Sequence, residues 1–161
     1  MGAQIGSSAV AARAHEELFA YWAGLRRTGK GLPSRADIHP SGFQRLLPTC
    51  SLIDVRSDGD YRLRLAGTEL YSVYGREITG RTLPEIYNCQ AAEYWRAQLD
   101  DVVRTRKPGV GLHSLSWRGA GHISILWLRL PLASNGRDVD MILGYDAVVG
   151  MQGDSSGVRA A

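Results

Sequence analysis

The stretch Leu65–Tyr87, LAGTELYSVYGREITGRTLPEIY, decides how the chain folds. It opens at the end of a strand that stops at Gly67. A short helical run carrying Leu70, Tyr71 and Tyr74 follows, and the stretch then passes through two glycines, Gly75 and Gly80. Glycine reaches backbone conformations that other residues avoid, so each glycine lets a short helix turn sharply. Helical turns this brief are not stable alone and need a surface to bury their apolar side chains. The flanking chain supplies one, and we read the stretch as the wall of a small cavity over an antiparallel sheet.

Immediately upstream, Tyr61, Leu63 and Leu65 alternate with Arg62 and Arg64, the period-two pattern of a half-buried strand. Ser51–Arg56 is its partner, and the link Ser57-Asp58-Gly59-Asp60 contains the Asp-Gly pair favoured in tight hairpins. Downstream, a longer helix is expected from Gln90 to about Arg106, with Ala91, Tyr94, Trp95, Gln98, Leu99, Val102 and Val103 on one face and Pro108-Gly109 ending it. Three strands follow, Val110–Trp117, His122–Leu132 and Val139–Val148, the last two joined through Ser134-Asn135-Gly136-Arg137. The middle strand is apolar on both sides: Ile123, Ile125 and Trp127 on one, Leu126, Leu128 and Leu130 on the other. Such a strand is covered on both faces. The helical middle of the chain covers one face, and the N-terminal helix or a partner chain covers the second. In the last strand Val139, Met141, Leu143 and Tyr145 share a face, with Ile142, Val148, Asp140 and Asp146 on the other.

Residues 1–8 are small and polar and are expected to fray. Ser8 is placed as the cap of a helix running to about Arg27, with Ala11, Ala14, Leu18, Tyr21 and Leu25 at spacings of three and four and Trp22 beside them. This stripe either covers the chain's own sheet or packs against the same helix of a second copy. The candidate dimer contacts are therefore Leu18, Tyr21, Trp22 and Leu25, with Leu126 and Leu128 from the sheet. Between prolines at 33 and 48, a short helix is expected from Pro40 with Phe43, Leu46 and Leu47 on its apolar side; Arg35 and Asp37 sit close together in the preceding loop. The domain plan is a frayed end over 1–8, an N-terminal helix over 9–28, a core over 32–149 and a disordered tail over 150–161.

Composition narrows the function classes. The chain has 161 residues, 44% hydrophobic and 22% charged, which suits one globular domain. No apolar run approaches the roughly 20 residues that span a bilayer, and residues 1–12 lack the charged start and long apolar centre of a signal peptide. Cys50 and Cys89 have neither metal-ligand nor disulfide-framework spacing, so a reduced, cytoplasmic setting is expected, with no membrane partner. The net charge is +3 and 17 of 19 basic residues are arginines, scattered rather than gathered on one face, which argues against nucleic acid. His113 and His122 fall on strands without a serine or cysteine nucleophile motif beside them. The sequence also lacks a phosphate loop, a paired-histidine metal motif and a dinucleotide fingerprint. The chain is read as non-enzymatic.

The order of elements is helix, two strands, short helices, a longer helix, three strands. With LPSRADIHP at Leu32–Pro40, LLP at Leu46–Pro48, LIDV at Leu52–Val55 and above all RLAGTELYSVYGREITGRTL at Arg64–Leu83, the chain resembles a PAS domain over roughly Leu18–Val149. Within that class it is most similar to a small alphaproteobacterial family in which one such domain is almost the whole protein. The resemblance implies an α+β fold: a five-stranded antiparallel sheet, helices over one face and an N-terminal helix. It also implies a sensory or regulatory module of bacterial signalling that forms a homodimer and acts by contacting a signalling protein.

Two cofactors known in the class are argued against. Haem-binding relatives place a histidine on the long helix, and Gln90–Arg106 contains none. Asn88-Cys89-Gln90 superficially resembles the reactive-cysteine motif of the flavin-binding LOV domains, but there the asparagine and cysteine directly follow Gly-Arg, whereas here Gly80-Arg81 is followed by Thr82-Leu83. The alternative function is an unknown small organic ligand in a cavity lined by Leu65, Leu70, Tyr74, Ile78, Ile86, Trp95, Leu99, Leu112, Trp127 and Tyr145, with Tyr71 as a further contact. The same aromatic side chains also suffice to fill a small core completely, and that reading is preferred.

Overall fold

A computed structural model describes residues 6–26 and 31–150. The tail after Gly150, the first five residues and the expected helix end at Arg27 lie outside the described residues. Gly6, Ser7 and Ser8, expected within a frayed end, are placed: Gly6 N–H donates to Val148 O at 2.9 Å. Ser7 rather than Ser8 caps the first helix, α1 (Ser8–Gly24), its hydroxyl accepting from Val10 N.

The five strands are β1 (Cys50–Val55), β2 (Tyr61–Ala66), β3 (Gly109–Leu115), β4 (Ala120–Leu132) and β5 (Met141–Gly150). They form one antiparallel sheet in the order β2-β1-β5-β4-β3, as expected of the α+β reading. Three helices, α2 (Leu70–Tyr74), α3 (Leu83–Ile86) and α4 (Cys89–Thr105), cover its front face. Gly75 ends α2 at φ 75° and Gly80 turns the chain at φ 80°, the two left-handed positions on which the short helices depend. Asn88 caps α4 by accepting from Ala91 N, which explains the helix's start one residue before the expected Gln90.

α1 covers the centre of the back face. Leu18 and Trp22 are almost wholly buried there, His15 Nε2 bonds Leu126 O at 2.9 Å, and Trp22 Nε1 donates to Pro131 O at 2.9 Å. The apolar stripe is thus satisfied within the chain. Leu128 is buried beneath the same helix. Tyr21 is half-buried and bonds His39 through its hydroxyl, and Leu25 and Leu126 are half-buried. Of the six residues expected at a dimer contact, Leu18, Trp22 and Leu128 are therefore committed to the chain's own core.

Residues 32–49 arch over the β1–β2 side of the same face. The expected short helix from Pro40 is instead two 3-10 turns, Pro40–Gly42 and Gln44–Thr49, and a further 3-10 turn, Arg35–Asp37, precedes them. On the opposite side, no described element covers the back of β3, and Val110 and Leu112 stay 63% and 56% exposed.

Burial holds His15 below the ordinary imidazole range, although the Leu126 bond and the Asp146 charge favour its proton and Arg129 opposes it. Burial likewise lowers His113 on the front of β3. A depressed folded pKa gives stability that is present above the unfolded value of about 6.5 and is lost as pH falls below it. The melting temperature is expected to drop between pH 7.5 and pH 5. His15→Gln should flatten part of that slope and His113→Gln the rest; a slope unchanged in the double variant would assign the acid loss elsewhere.

Candidate functional site

The front face and its helices enclose the space where a ligand cavity was expected. That space is nearly full: about 10 Å³ remains, bounded by Ser51, Ile53, Leu63, Leu70, Tyr74, Ile78, Leu83, Tyr87, Trp95, Leu99, Arg129 and Asp146. A single water needs at least this much. Its centre is a buried ion pair. Arg129 Nη1 donates to Asp146 Oδ1 at 2.8 Å, and both side chains are almost entirely buried. Tyr74 O–H donates to Asp146 Oδ2 at 2.8 Å. The same Nη1 reaches the carbonyls of Leu128 at 3.0 Å and Tyr145 at 3.3 Å. The guanidinium lies 4.7 Å from the Trp95 ring centre and 5.8 Å from that of Trp127, so aromatic faces complete its surroundings.

Register explains why these two charges meet. Trp127 lies opposite Asp146, and Arg129 opposite Gly144. Arg129 and Asp146 therefore point to the same face from neighbouring strands. Gly144 leaves the room: a Cβ there would stand 3.2 Å from Arg129 Nη1 and 2.4 Å from Ser51 Oγ. Burial works against the arginine's charge, but Asp146, Tyr74 and Tyr87 more than offset it and hold its pKa above the usual value. Burial, then the Asp146 carboxylate, hold the Tyr74 phenol well above its ordinary value. Around the pair, Tyr87 stacks on Trp95 at 5.9 Å, Trp95 meets Trp127 at 5.3 Å, and Tyr94 stacks on His113 at 4.4 Å.

The expected cavity residues divide. Tyr74, Ile78, Trp95 and Leu99 line the front space, and so does Leu70. Trp127 joins them through Trp95 and Arg129, and Ile86 is buried. Four residues lie elsewhere. Tyr71 is 59% exposed on the outside of α2. Leu112 lies opposite Leu126 on the back face, while its neighbours Gly111 and His113 take the front. Tyr145 also faces back, edge-on to His15 at 5.6 Å; its neighbour Asp146 takes the front position. Leu65 was expected to share a face with Leu63. An extra residue in β2 shifts the register, pairing Ile53 with Leu63 but Leu52 with Leu65, and turns Leu65 to the back. Sequence reading missed Arg129, Asp146, Tyr87 and Ser51. The available signal was an arginine in the parity of Ile125 and Trp127 with an aspartate in the parity of Ile142 and Val148.

Cys50 offers little reactivity. Burial raises the Cys50 thiol to about 12, and its Sγ donates to Leu46 O at 3.2 Å. Cys89 is exposed at the first residue of α4 and does not line the front space. With about 10 Å³ left there, the arrangement does not fit a flavin ring. Among the described residues no cluster of three or more metal-ligating side chains occurs, and no helix is long and apolar enough to cross a membrane.

A family model described as "PAS domain" matches residues 10–146. The chain belongs to the PAS domain family. No curated protein matches it. Among solved structures, the d2 variant of RsLOV is similar at 16% identity and a TM-score of 0.50, over 66% of this chain and 61% of that one. The Rhodobacter sphaeroides LOV protein is similar at 14% identity and a TM-score of 0.49, over 73% and 72%. A domain of an HTR-like protein from Haloarcula marismortui is similar at 12% identity and a TM-score of 0.47, over 63% and 98%. At such identities the likeness is one of fold. PAS membership points to a sensory signalling module; in this PAS domain the space between helices and sheet holds its own ion pair.

Proposed function

We propose that this PAS domain is a non-enzymatic regulatory module of bacterial signalling, cytoplasmic, that works by binding proteins and forms a homodimer through the back of its sheet. The observation that carries the reading is the apolar strip that α1 leaves bare. Val110 and Leu112 of β3 stand opposite Leu128 and Leu126. Phe19, one turn from both His15 and Trp22 on α1, is also exposed. Two exposed large apolar side chains on the edge strand of the sheet, with a third on the helix that covers the same face, mark a contact surface. The dimer surface we favour is therefore Phe19, Val110, Leu112 and half-buried Leu126, in place of the buried Leu18, Trp22 and Leu128.

Light scattering tests this. The protein is expected to be a dimer at micromolar concentration, and Leu112→Glu is expected to make it monomeric with little change in melting temperature, because the position is exposed. A strict monomer in the unaltered protein, or an unchanged dimer in Leu112→Glu, would refute this surface. Pull-down from the native host, comparing the two forms, identifies the signalling partner.

A second reading, a small organic ligand in the front space, is favoured by two buried donors without a partner, Trp95 Nε1 and Arg129 Nε. Buried polar groups are ordinarily paired. A ligand there must displace part of the aromatic packing. Native mass spectrometry of protein from its own host reads it directly, and absence of any bound mass removes it.

A further inference from the structure

The back face, unlike the front space, leaves room beside its packed elements. Beneath the arch of residues 32–49 runs a groove of about 400 Å³. Ile38, Phe43 and Leu47 of the arch line one side, and Leu52, Leu65 and Leu143 of the sheet line the other. The volume falls within the range of small-molecule sites, roughly 300–1,000 Å³. The register shift in β2 that turns Leu65 backward supplies part of the floor and leaves that side chain 52% exposed.

The arch is fixed at several points, so the groove is a standing feature. At its start, Leu32 N donates to Gly136 O and Ala133 N to Pro33 O, both at 2.8 Å. In the middle, the Tyr21 hydroxyl of α1 bonds both the N–H and the carbonyl of His39. At its end, Glu69 N donates to Pro48 O at 2.9 Å, and Gly67 sits so close that a Cβ would lie 2.3 Å from Leu47 O. Arg35 is the one charged side chain among the described residues that line the groove. Its turn is closed by the Ser34–Asp37 capping box, and its Nη1 reaches Ile38 O at 3.4 Å.

We infer that this groove binds a small apolar carboxylic acid, its tail between arch and sheet and its carboxylate on Arg35. The reasoning is complementarity. An apolar trough excludes a polar or multiply charged ligand. A single guanidinium at the rim favours one planar anion, which it can engage through paired N–H donors. The site is separate from the helix-covered front space and from the proposed dimer strip, because α1 lies between the groove and β3.

Decanoate is the probe, with decanol and decylamine as chain-matched controls, titrated into the full-length protein and followed by amide NMR shifts. Saturable binding of decanoate at one site per chain is expected, with shifts at Ile38, Phe43, Leu52 and Leu65. Arg35→Gln is expected to weaken it about tenfold, toward the affinity of decanol, and decylamine is expected to bind more weakly than either. Leu65→Glu, at a half-exposed position, should abolish decanoate binding without lowering the melting temperature, and Leu112→Glu should leave it unchanged. Equal affinity for acid, alcohol and amine would overturn the assignment, as would an Arg35→Gln variant that binds as well as the parent. Shifts confined to Tyr74, Trp95 and Leu99 would place the ligand at the front and also overturn it, whatever the oligomeric state.

Discussion

Arg129→Met is expected to destabilise the domain by about 3–5 kcal/mol, the usual consequence of stranding one member of a buried ion pair. The methionine is nearly as long as the arginine stem, so little volume is lost; what changes is charge. Asp146 would remain almost wholly buried with the Tyr74 hydroxyl at 2.8 Å as its remaining side-chain donor. A carboxylate so placed either stays ionised at high cost or takes up a proton. Against a total stability of about 5–15 kcal/mol for a domain, that loss leaves the variant marginal, visible as a large fall in the urea midpoint. Asp146→Leu alone should be comparably harmful, because Arg129 would keep its charge between Trp95 and Trp127 with no carboxylate. The double variant is the informative one. With both charges removed the penalty for desolvating them vanishes, and most of the loss is expected to return. If either single variant costs under about 1 kcal/mol, water reaches the pair and the front space is more open than its packing implies. A double variant that stays stable but no longer engages a partner would give the pair a role in signalling rather than in stability.

How far the sequence could carry these conclusions depended on whether a feature is local. The two hairpin turns at Asp58-Gly59 and Asn135-Gly136 are set by their own residues, and both glycines have the positive φ that the turns need. The two-sided character of β4 also followed from its residues alone, as did the face shared by Met141, Leu143 and Tyr145. Where pairing between strands decides, sequence parity misled. Leu65 continues the alternation of Tyr61 and Leu63 without a break, and nothing local announces that Arg64 is the extra residue opposite β1. Tyr145 shares the parity of Met141 and Leu143, and that parity, not its aromatic character, decides which face it takes. Residues 32–49 form 3-10 turns, which carry no long amphipathic period, so their course over the sheet was invisible. Arg129 escaped notice for a related reason. A strand otherwise so apolar draws attention to its hydrophobic residues, while the partner that makes a buried arginine tolerable lies 17 positions away. An apolar stripe looks the same whichever sheet it meets, so the first helix reads equally as cover and as dimer contact.

Trp22→Ala separates those two roles and is expected to have the second large effect. The indole is almost fully buried on the back face, its Nε1 donates to Pro131 O at 2.9 Å, and the Arg26 guanidinium sits 5.2 Å above its ring. Truncation removes the largest apolar contact of α1, leaves a cavity over β4 and deprives a buried carbonyl of its donor. Large-to-small changes of this kind cost about 3–5 kcal/mol, so the urea midpoint should fall sharply. Because the contact lies within one chain, the loss is expected to be the same at 1 and 100 µM protein. The same variant should expose Leu128, Leu130 and Leu143 as α1 lifts, and self-association beyond the dimer should follow on warming. Phe19→Ala is the counterpart. That ring is 45% exposed and lies on the proposed dimer strip, so it should weaken the dimer while changing protomer stability by less than about 1 kcal/mol. A Trp22→Ala loss that instead shrinks as protein concentration rises would mean that stability comes from a second chain, with α1 exchanged between copies onto each other's sheets. The apolar stripe of the first helix would then serve as cover and dimer contact at once.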